Sequence, residues 1–327
     1  MREIKYNNIW ETITKEDYFL YIFLGGRGIG KTYSSLLGAL YSSKPFMYLR
    51  RTENEIKNCC NEKLNPFKVI NNDKGRDIHL VPTGDSYTIL EEDNVLGYAS
   101  ALSTFGKFRS VDFSDVETII FDEFINTSSH NTIKNESVLL FNLIETVGRN
   151  RELQGRKPLK IILLSNTNTI ENEILTTLEV ASELHKMKSN KESVYRNKEK
   201  GLYVELLKNN DFVELKKETC LYKLTEGTEF YNMALNNDFS DMVFNDVYKI
   251  HYQRLKPFIS FKNTLYFYDV KATNKVYISN RKASCKNIDD LKEFKKLYID
   301  YLDTLSLNND LIFCDYNVRN KYTLYFH

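Results

Sequence analysis

The chain has 327 residues, with 45 lysines and arginines against 44 aspartates and glutamates, and its formal net charge is +1. This length suggests two domains, and the balanced charge excludes a globally basic surface, so any contact with nucleic acid must be a local patch. The five cysteines form no C-x-x-C pair and the five histidines lie far apart, which argues against a disulfide framework or a zinc site. There is no apolar signal region and no apolar run of membrane-spanning length, so we expect a soluble cytoplasmic protein with no membrane partner.

A glycine-rich loop near the start of the chain has the pattern G-x-x-x-x-G-K-[ST]. An apolar run over residues 18–24 predicts a buried strand before the loop, and residues 33–41 predict a helix after it. The glycines allow the backbone N–H groups to cradle a di- or triphosphate, and the helix N-terminus adds partial positive charge. The residues expected to bind the nucleotide are Gly25, Gly26, Arg27, Gly28, Ile29, Gly30, Lys31 and Thr32. Lys31 is expected to neutralise the β- and γ-phosphates, and Thr32 to bind Mg²⁺.

A second strand is predicted over residues 45–50, and it ends in Arg50 and Arg51. Sites in open α/β sheets lie at the carboxyl ends of the strands. The arginine pair is therefore a candidate for contact with DNA phosphates, and the alternative is a solvated strand end. A third apolar strand at 95–102 leads into a basic segment that contains Lys107 and Arg109.

The apolar, β-branched run at residues 116–121 ends in Asp122 and Glu123. Asp122 is expected to hold Mg²⁺, and Glu123 to orient and deprotonate the attacking water. An acidic pair at a strand end is also a common start of a loop. The phosphate-binding loop favours the catalytic interpretation, because the two motifs need each other.

Two further elements each end in a polar residue. Residues 135–149 predict an amphipathic helix ending at Arg149, which either meets the helix dipole and solvent or acts as an arginine finger on a neighbour's γ-phosphate. Residues 158–164 predict a buried strand followed by Asn166, which either senses the γ-phosphate or the water, or caps a helix predicted at 170–183. These strands and helices together predict a mostly parallel α/β sheet with the site at one edge.

The second half of the chain begins with a change of composition. Residues 186–200 are basic and lack an apolar period, so we predict an ATPase domain over 1–185, a linker over 186–244 and a small C-terminal α/β domain over 245–327. In that last domain, strands are predicted at 265–270, 275–279, 311–314 and 322–326, with a helix at 289–305. Its acidic residues form no spaced cluster typical of a metal site.

Five segments of the sequence occur in a recognisable order. They are the glycine-rich loop, Tyr-Leu-Arg-Arg at 48–51, Thr-Ile-Ile-Phe-Asp-Glu-Phe-Ile at 118–125, Glu-Thr-Val-Gly-Arg-Asn-Arg-Glu at 145–152 and Leu-Leu-Ser-Asn at 163–166. Together they resemble the DNA-encapsidation ATPases of small podophages, which package a linear, protein-primed genome into a prohead. The similarity is dense over the first half of the chain and thinner later, where residues 226–239 also resemble the family.

The resemblance implies a P-loop NTPase core of the additional-strand, catalytic-glutamate type, related to translocases and large terminases. It also implies a C-terminal domain like a degenerate nuclease of the ribonuclease H type. The resemblance further implies ATP and Mg²⁺ as cofactors, and double-stranded DNA and a prohead portal as partners, with five copies forming a ring at the portal in the host cytoplasm. A structural RNA serves some relatives, but no residue here indicates one.

The family's motifs also imply residue roles. Lys31 and Thr32 match its Walker A residues, and Asp122 and Glu123 match its Walker B pair. Arg27 matches the arginine inside the loop, and Arg149 matches a finger acting in trans. A second trans-acting basic residue falls near Arg109, with Lys107 as a competitor.

Other functions stay open at this stage. An ATP-dependent assembly switch would hydrolyse ATP slowly and independently of DNA. A nuclease-bearing terminase would need a carboxylate cluster in the second domain, which the sequence does not offer. A helicase would need motifs beyond the shared core, and these are absent.

Overall fold

The computed structural model describes residues 6–107, 112–126, 133–167, 169–236 and 245–327. The chain divides into two compact units, Met1–Thr169 with Lys191–Ser240 and Ile170–Asn190 with Asp241–His327. Within the described ranges, no helix has the length and apolar character needed to cross a membrane.

The strands, in chain order, are β1 (Leu20–Gly25), β2 (Phe46–Arg50), β3 (Ile78–Thr83), β4 (Ser86–Glu91), β5 (Asn94–Ala101), β6 (Thr118–Asp122), β7 (Lys160–Ser165), β8 (Val194–Asn197), β9 (Leu202–Leu207), β10 (Leu255–Phe261), β11 (Leu265–Val270), β12 (Val276–Ser279), β13 (Lys286–Ile288) and β14 (Leu311–Phe313). The helices are α1 (Ile9–Lys15), α2 (Lys31–Tyr41), α3 (Glu53–Asn58), α4 (Lys68–Lys74), α5 (Glu136–Gly148), α6 (Glu173–Thr177), α7 (Ala181–Ser189), α8 (Asn210–Lys217), α9 (Cys220–Leu224), α10 (Glu229–Asn236), α11 (Leu291–Leu307) and α12 (Tyr316–Phe326). Two short 3₁₀ helices, Leu102–Lys107 and Tyr252–Arg254, complete the elements of the described residues.

The first unit is built on a nine-stranded sheet in the order β3-β4-β5-β2-β6-β7-β1-β9-β8. The six consecutive strands β5, β2, β6, β7, β1 and β9 run parallel to one another. The antiparallel strands lie at the two edges, β3 and β4 beside β5, and β8 beside β9. The central strands are almost wholly buried, as in β1 and β6, because a parallel sheet is covered on both faces. The mostly parallel α/β fold predicted from the sequence is confirmed.

The strand order determines where the site lies. Strands β2, β6, β7 and β1 are consecutive neighbours and run parallel. Their carboxyl ends therefore meet at one edge of the sheet. The residues that follow these ends along the chain are brought together there, although they are far apart in sequence.

The structure differs from the predicted linker. Within 186–244, β9 pairs in parallel with β1, and β8 pairs antiparallel with β9. Leu202, Tyr203 and Val204 are buried, because the apolar run that they begin completes the central sheet. The predicted helix at 170–183 also differs, since α6 and α7 are separate helices. Glu179, with a positive φ of 61°, lies between them.

The second unit contains a five-stranded mixed sheet in the order β13-β10-β11-β12-β14. An aromatic core that includes Phe261, Phe267, Phe294 and Phe326 packs between one face of this sheet and the helices α11 and α12. The late strand predicted at 322–326 was wrong. Its tyrosines and phenylalanines favour a strand, but they lie in α12, which begins after a capping bond from Val318 N to Asp315 Oδ1. The likeness to ribonuclease H stays a prediction.

Candidate active site

The glycine-rich loop connects β1 to α2 in the order expected of a phosphate-binding loop. Gly28 has a φ of +80° and Gly30 a φ of +95°, in the left-handed region that only glycine enters without strain. A Cβ on Gly30 would lie 2.9 Å from the Cβ of Tyr6. Both the backbone conformation and the close approach of Tyr6 therefore require glycine at this position.

Lys31 lies at the start of α2, and its side chain turns back over the loop. Its Nζ donates to the carbonyl oxygens of Gly25 and Gly26, each at 2.8 Å, and to Asn166 Oδ1 at 3.1 Å. Burial lowers the pKa of Lys31 to about 8, although the carboxylates of Asp122 and Glu123 oppose that shift. The ammonium group is thus held where a phosphate would bind, and Asn166 lies beside it. The alternative role for Asn166 is wrong, because Asn172 caps α6.

Asp122 ends β6, and its buried carboxylate accepts two hydroxyl hydrogen bonds on one oxygen. Thr32 Oγ1 donates to Asp122 Oδ2 at 2.9 Å, and Tyr48 OH donates to the same atom at 3.1 Å. Burial raises the pKa of Asp122, and the nearby Arg50 guanidinium opposes this. Tyr48 was missed from the sequence. It lies two residues before Arg50 on β2, so both side chains share a face, and that alternation was the available signal.

Glu123 follows directly and has a strained backbone, with a positive φ of 54°. Its side chain is 55% exposed, and it lines the same cavity as Lys31. Arg50 Nη2 donates to Glu123 Oε2 at 2.6 Å, and Arg50 Nη1 lies 3.7 Å from Asp122 Oδ2. Arg50 is therefore bound to the two carboxylates of the site. Its contact with DNA stays a prediction.

Arg51 was also predicted to contact DNA, but the structure buries it. Its side chain is only 3% exposed, and its Nε donates to Glu136 Oε1 at 2.7 Å. Glu136 begins α5, so the pair joins the end of β2 to that helix. A guanidinium that is buried and paired in this way cannot reach a DNA backbone.

The residue predicted to act as an arginine finger lies elsewhere. Arg149 follows α5 and is half exposed, with Nη1 at 3.2 Å from Asp112 Oδ1. Among the described residues, it does not line the cavity that contains Lys31. Lys107 ends the 3₁₀ helix Leu102–Lys107. Arg109 lies outside the described residues.

The cavity beside the loop has a volume of about 770 Å³, which is within the range of small-molecule sites. It is lined by Tyr6, Arg27, Gly28, Gly30, Lys31, Thr32, Tyr33, Pro66, Val69, Asp73, Asp122, Glu123, Ser165 and Asn166. Mg²⁺ prefers oxygen ligands, and the Thr32 hydroxyl and the Asp122 carboxylate already lie within hydrogen-bond distance of each other. A buried lysine and a loop with two left-handed glycines suit a polyphosphate. The residues present therefore fit both a nucleotide and its metal.

The sequence analysis also missed the residues that pack against the glycine-rich loop. These residues contact the loop or one another, and they are Asn7, Asn209, Phe212 and Lys216. Lys216 is 189 residues from its partner Arg27, so no local sequence pattern indicates that contact.

Comparison with known proteins places this chain in a family. The model of the podovirus DNA encapsidation protein (Gp16) family matches residues 1–323. The DNA packaging protein of Bacillus phage phi29 is 30% identical over 178 residues, 52% of this chain and 49% of the relative. That of Bacillus phage B103 is 31% identical over 183 residues, 52% of this chain and 51% of the relative. The chain thus spans about half the length of the curated relatives it matches.

Two solved structures are similar. The bacteriophage Phi-29 viral genome packaging motor assembly contains a chain with a TM-score of 0.67 and 22% identity, covering 98% of each chain, which shows a shared fold. The N-terminal domain of the DNA packaging ATPase from bacteriophage phi29 has a TM-score of 0.50 and 25% identity over 63% of this chain and 98% of that domain. On the family match, which extends over nearly the whole sequence, this chain belongs to the podovirus DNA encapsidation protein (Gp16) family.

Proposed function

We propose that this protein is an ATPase that drives double-stranded DNA into a prohead. The observation that carries the proposal is the convergence of Lys31, Thr32, Asp122 and Glu123 on one cavity. Each lies at or just after the carboxyl end of a parallel strand, or at the start of the helix that follows it, where α/β proteins bind nucleotides. The packaging role rests on the family to which the chain belongs and on the names of its relatives.

Thr32 and Asp122 would hold Mg²⁺, which when bound would neutralise charge on the β- and γ-phosphates. Lys31 exchanges its bonds to Gly25 O and Gly26 O for the phosphates. The hydroxyl of the buried Tyr48 keeps the Asp122 carboxylate oriented. These residues bind and orient the nucleotide.

Glu123 is the candidate general base, since its exposed carboxylate lies in the cavity next to Lys31. It would take the proton of the attacking water. In this structure the carboxylate is paired with Arg50. Arg50 contacts only Oε2, so Oε1 would take the proton, while Asn166 orients the water or the γ-phosphate.

Arg149 is the candidate arginine finger, and we propose that it acts on the site of a neighbouring subunit. Its position outside its own cavity supports action in trans. Arg109 and Lys107 stay candidates for a second trans-acting residue. A homo-oligomeric ring at the portal vertex, with five subunits in the family, would bring such pairs together.

Contact with DNA is proposed to involve its phosphates and so to be independent of sequence and sensitive to salt. Arg50 stays a candidate for that contact, whereas the buried side chain of Arg51 does not.

The proposed function is tested by measuring ATP hydrolysis with and without double-stranded DNA and proheads. We expect DNA with proheads to accelerate turnover, and Glu123→Gln to bind ATP normally while turnover falls by about 10²–10⁴-fold. Slow ATP hydrolysis whose rate does not change when DNA is added would indicate an assembly switch instead. Metal-dependent cleavage of plasmid DNA would indicate a nuclease-bearing terminase, and normal turnover by Glu123→Gln would remove Glu123 from the base role.

A further inference from the structure

One lysine from the later part of the chain contacts the backbone of the phosphate-binding loop. Lys216 lies in α8, and its Nζ donates to the carbonyl oxygen of Arg27 at 2.6 Å. The same ammonium lies 4.8 Å from the ring centroid of Phe212 and 5.3 Å from that of Tyr222. Both distances are within the range of cation–π attraction, so two aromatic rings hold the side chain in place.

Helix α8 also packs directly on the loop. A Cβ on Gly28 would lie 3.1 Å from Phe212 Cζ, which is tighter than most real Cβ contacts, so Phe212 lies close against the loop. Asn209 caps α8 through a bond from Phe212 N, and its Nδ2 donates to Asn7 Oδ1 at 2.9 Å. The backbone N–H of Asn7 in turn donates to the carbonyl oxygen of Ile29 at 3.0 Å.

The backbone carbonyl groups of Arg27 and Ile29, two residues apart in the loop, therefore each accept a hydrogen bond from a residue outside the loop. In a trans peptide, the C=O of one residue and the N–H of the next point in opposite directions, and the described residues contain no cis peptide. Holding the Arg27 carbonyl toward Lys216 thus directs the Gly28 N–H away from α8. The bond from Asn7 has the same effect on the Gly30 N–H. Those two amides are among the groups that would cradle the phosphates.

We infer that Lys216 is a positioning residue for nucleotide binding, which orients the Gly28 amide by holding the carbonyl oxygen of Arg27. The inference rests on the proposed function, because it assigns this loop to a nucleotide. It assigns α8 a role that its sequence, in a stretch predicted as a linker, does not indicate. The charge of Lys216 also reaches the site, since it contributes to the lowered pKa of Lys31.

The neighbouring Lys217 provides a matched control. It has the same charge and lies in the same helix, but its Nζ is paired with Glu214 Oε1 at 2.6 Å. Replacing either lysine by methionine removes one positive charge and keeps most of the aliphatic side chain. Only the change at Lys216 removes the bond to the loop.

The test measures binding of Mg-ADP by calorimetry to the full-length wild type, Lys216→Met, Lys216→Arg and Lys217→Met. We expect Lys216→Met to raise the Kd about tenfold or more, as for the loss of a charged hydrogen bond. Lys217→Met should change the Kd less than about twofold, and Lys216→Arg, which keeps charged N–H donors, should recover most of the affinity. In ATP hydrolysis, Lys216→Met should raise KM with little change in kcat, because the cradle binds the ground state and the transition state alike.

The other outcomes are decisive. Wild-type affinity in Lys216→Met, or equal losses in Lys216→Met and Lys217→Met, would overturn the inference and leave the proposed ATPase intact. A Lys216→Met protein that no longer folds, as judged by its thermal unfolding without nucleotide, would assign Lys216 to the stability of α8 and overturn the positioning role. A wild-type protein that binds no Mg-ADP would overturn the proposed function itself, and the inference with it.

Discussion

Arg50 donates from Nη2 to Oε2 of Glu123 at 2.6 Å, and so pairs the cation that ends β2 with the candidate base that follows β6. The two residues are 73 positions apart in the chain, and they meet because β2 and β6 are neighbours in the sheet. The same guanidinium lies 3.7 Å from the buried carboxylate of Asp122. Arg50 therefore balances two negative charges at the edge of the sheet where the nucleotide is proposed to bind.

The contact between Arg50 and Glu123 can be measured by a double-mutant cycle. Glu123 is half exposed, so solvent screens the pair, and we expect a coupling free energy of about 0.5–1 kcal/mol in urea unfolding without nucleotide. The variants are Arg50→Met, Glu123→Gln and their combination. Additive effects on the free energy of unfolding would show that the contact contributes nothing. Arg50→Met alone should cost more than Glu123→Gln, because it also leaves the buried Asp122 carboxylate without its cation.

The trans action of Arg149 can be tested by mixing subunits. Arg149→Ala should lower turnover by about 10³–10⁵-fold, the usual effect of losing an arginine finger. Glu123→Gln protein is inactive for a different reason and still carries its arginine. Mixtures of the two should regain hydrolysis, measured as phosphate release at several ratios. If no ratio restores activity, Arg149 acts in cis or takes no part in the reaction.

The pair between Arg51 and Glu136 should support stability rather than DNA binding. Arg51→Met leaves the buried Glu136 carboxylate without its partner, which typically lowers the free energy of unfolding by about 3–5 kcal/mol. The double variant Arg51→Met with Glu136→Met should lose less, because no buried charge is left unpaired. Urea unfolding compares the two. A folded, stable Arg51→Met protein with weakened DNA binding would restore the original prediction for Arg51.

Binding of a nucleotide should be accompanied by uptake of a proton near pH 8. Burial lowers the pKa of Lys31 to about 8 in the free protein, and the phosphates favour its charged form, so bound nucleotide raises that pKa. Little uptake is expected at pH 7, where Lys31 is mostly protonated already, and close to one proton at pH 9. Affinity should then fall by up to about tenfold per pH unit above pH 8. Calorimetry of metal-free ADP binding in two buffers of different ionisation enthalpy measures this uptake, and equal heats at pH 9 would contradict it.

Lys31 should also make the free energy of unfolding depend on pH. Between pH 8 and the ordinary pKa of lysine, the unfolded chain binds more protons at this position than the folded one does. The free energy of unfolding contributed by Lys31 should therefore rise with pH across that window.

Much of the first unit was predictable from local patterns. The strand, glycine-rich loop and helix around Lys31 follow from the spacing G-x-x-x-x-G-K-[ST], which is specific in this context. The buried strands before Asp122 and Asn166 follow from unbroken apolar runs. The secondary structure of the C-terminal end was harder to predict, because the tyrosines and phenylalanines of α12 favour strands locally. Burial against the aromatic core of the second unit outweighs that preference.

The amino-acid sequence by itself determined that a glycine-rich loop between a strand and a helix, and a strand ending in two carboxylates, are present, because both are short motifs written in consecutive residues. Tertiary structure alone decided which side chains meet. Arg50 with Glu123, Arg51 with Glu136, and Arg27 with Lys216 are 73, 85 and 189 positions apart. Strand order and helix packing bring them together, and the interactions that hold them act through space and not along the chain.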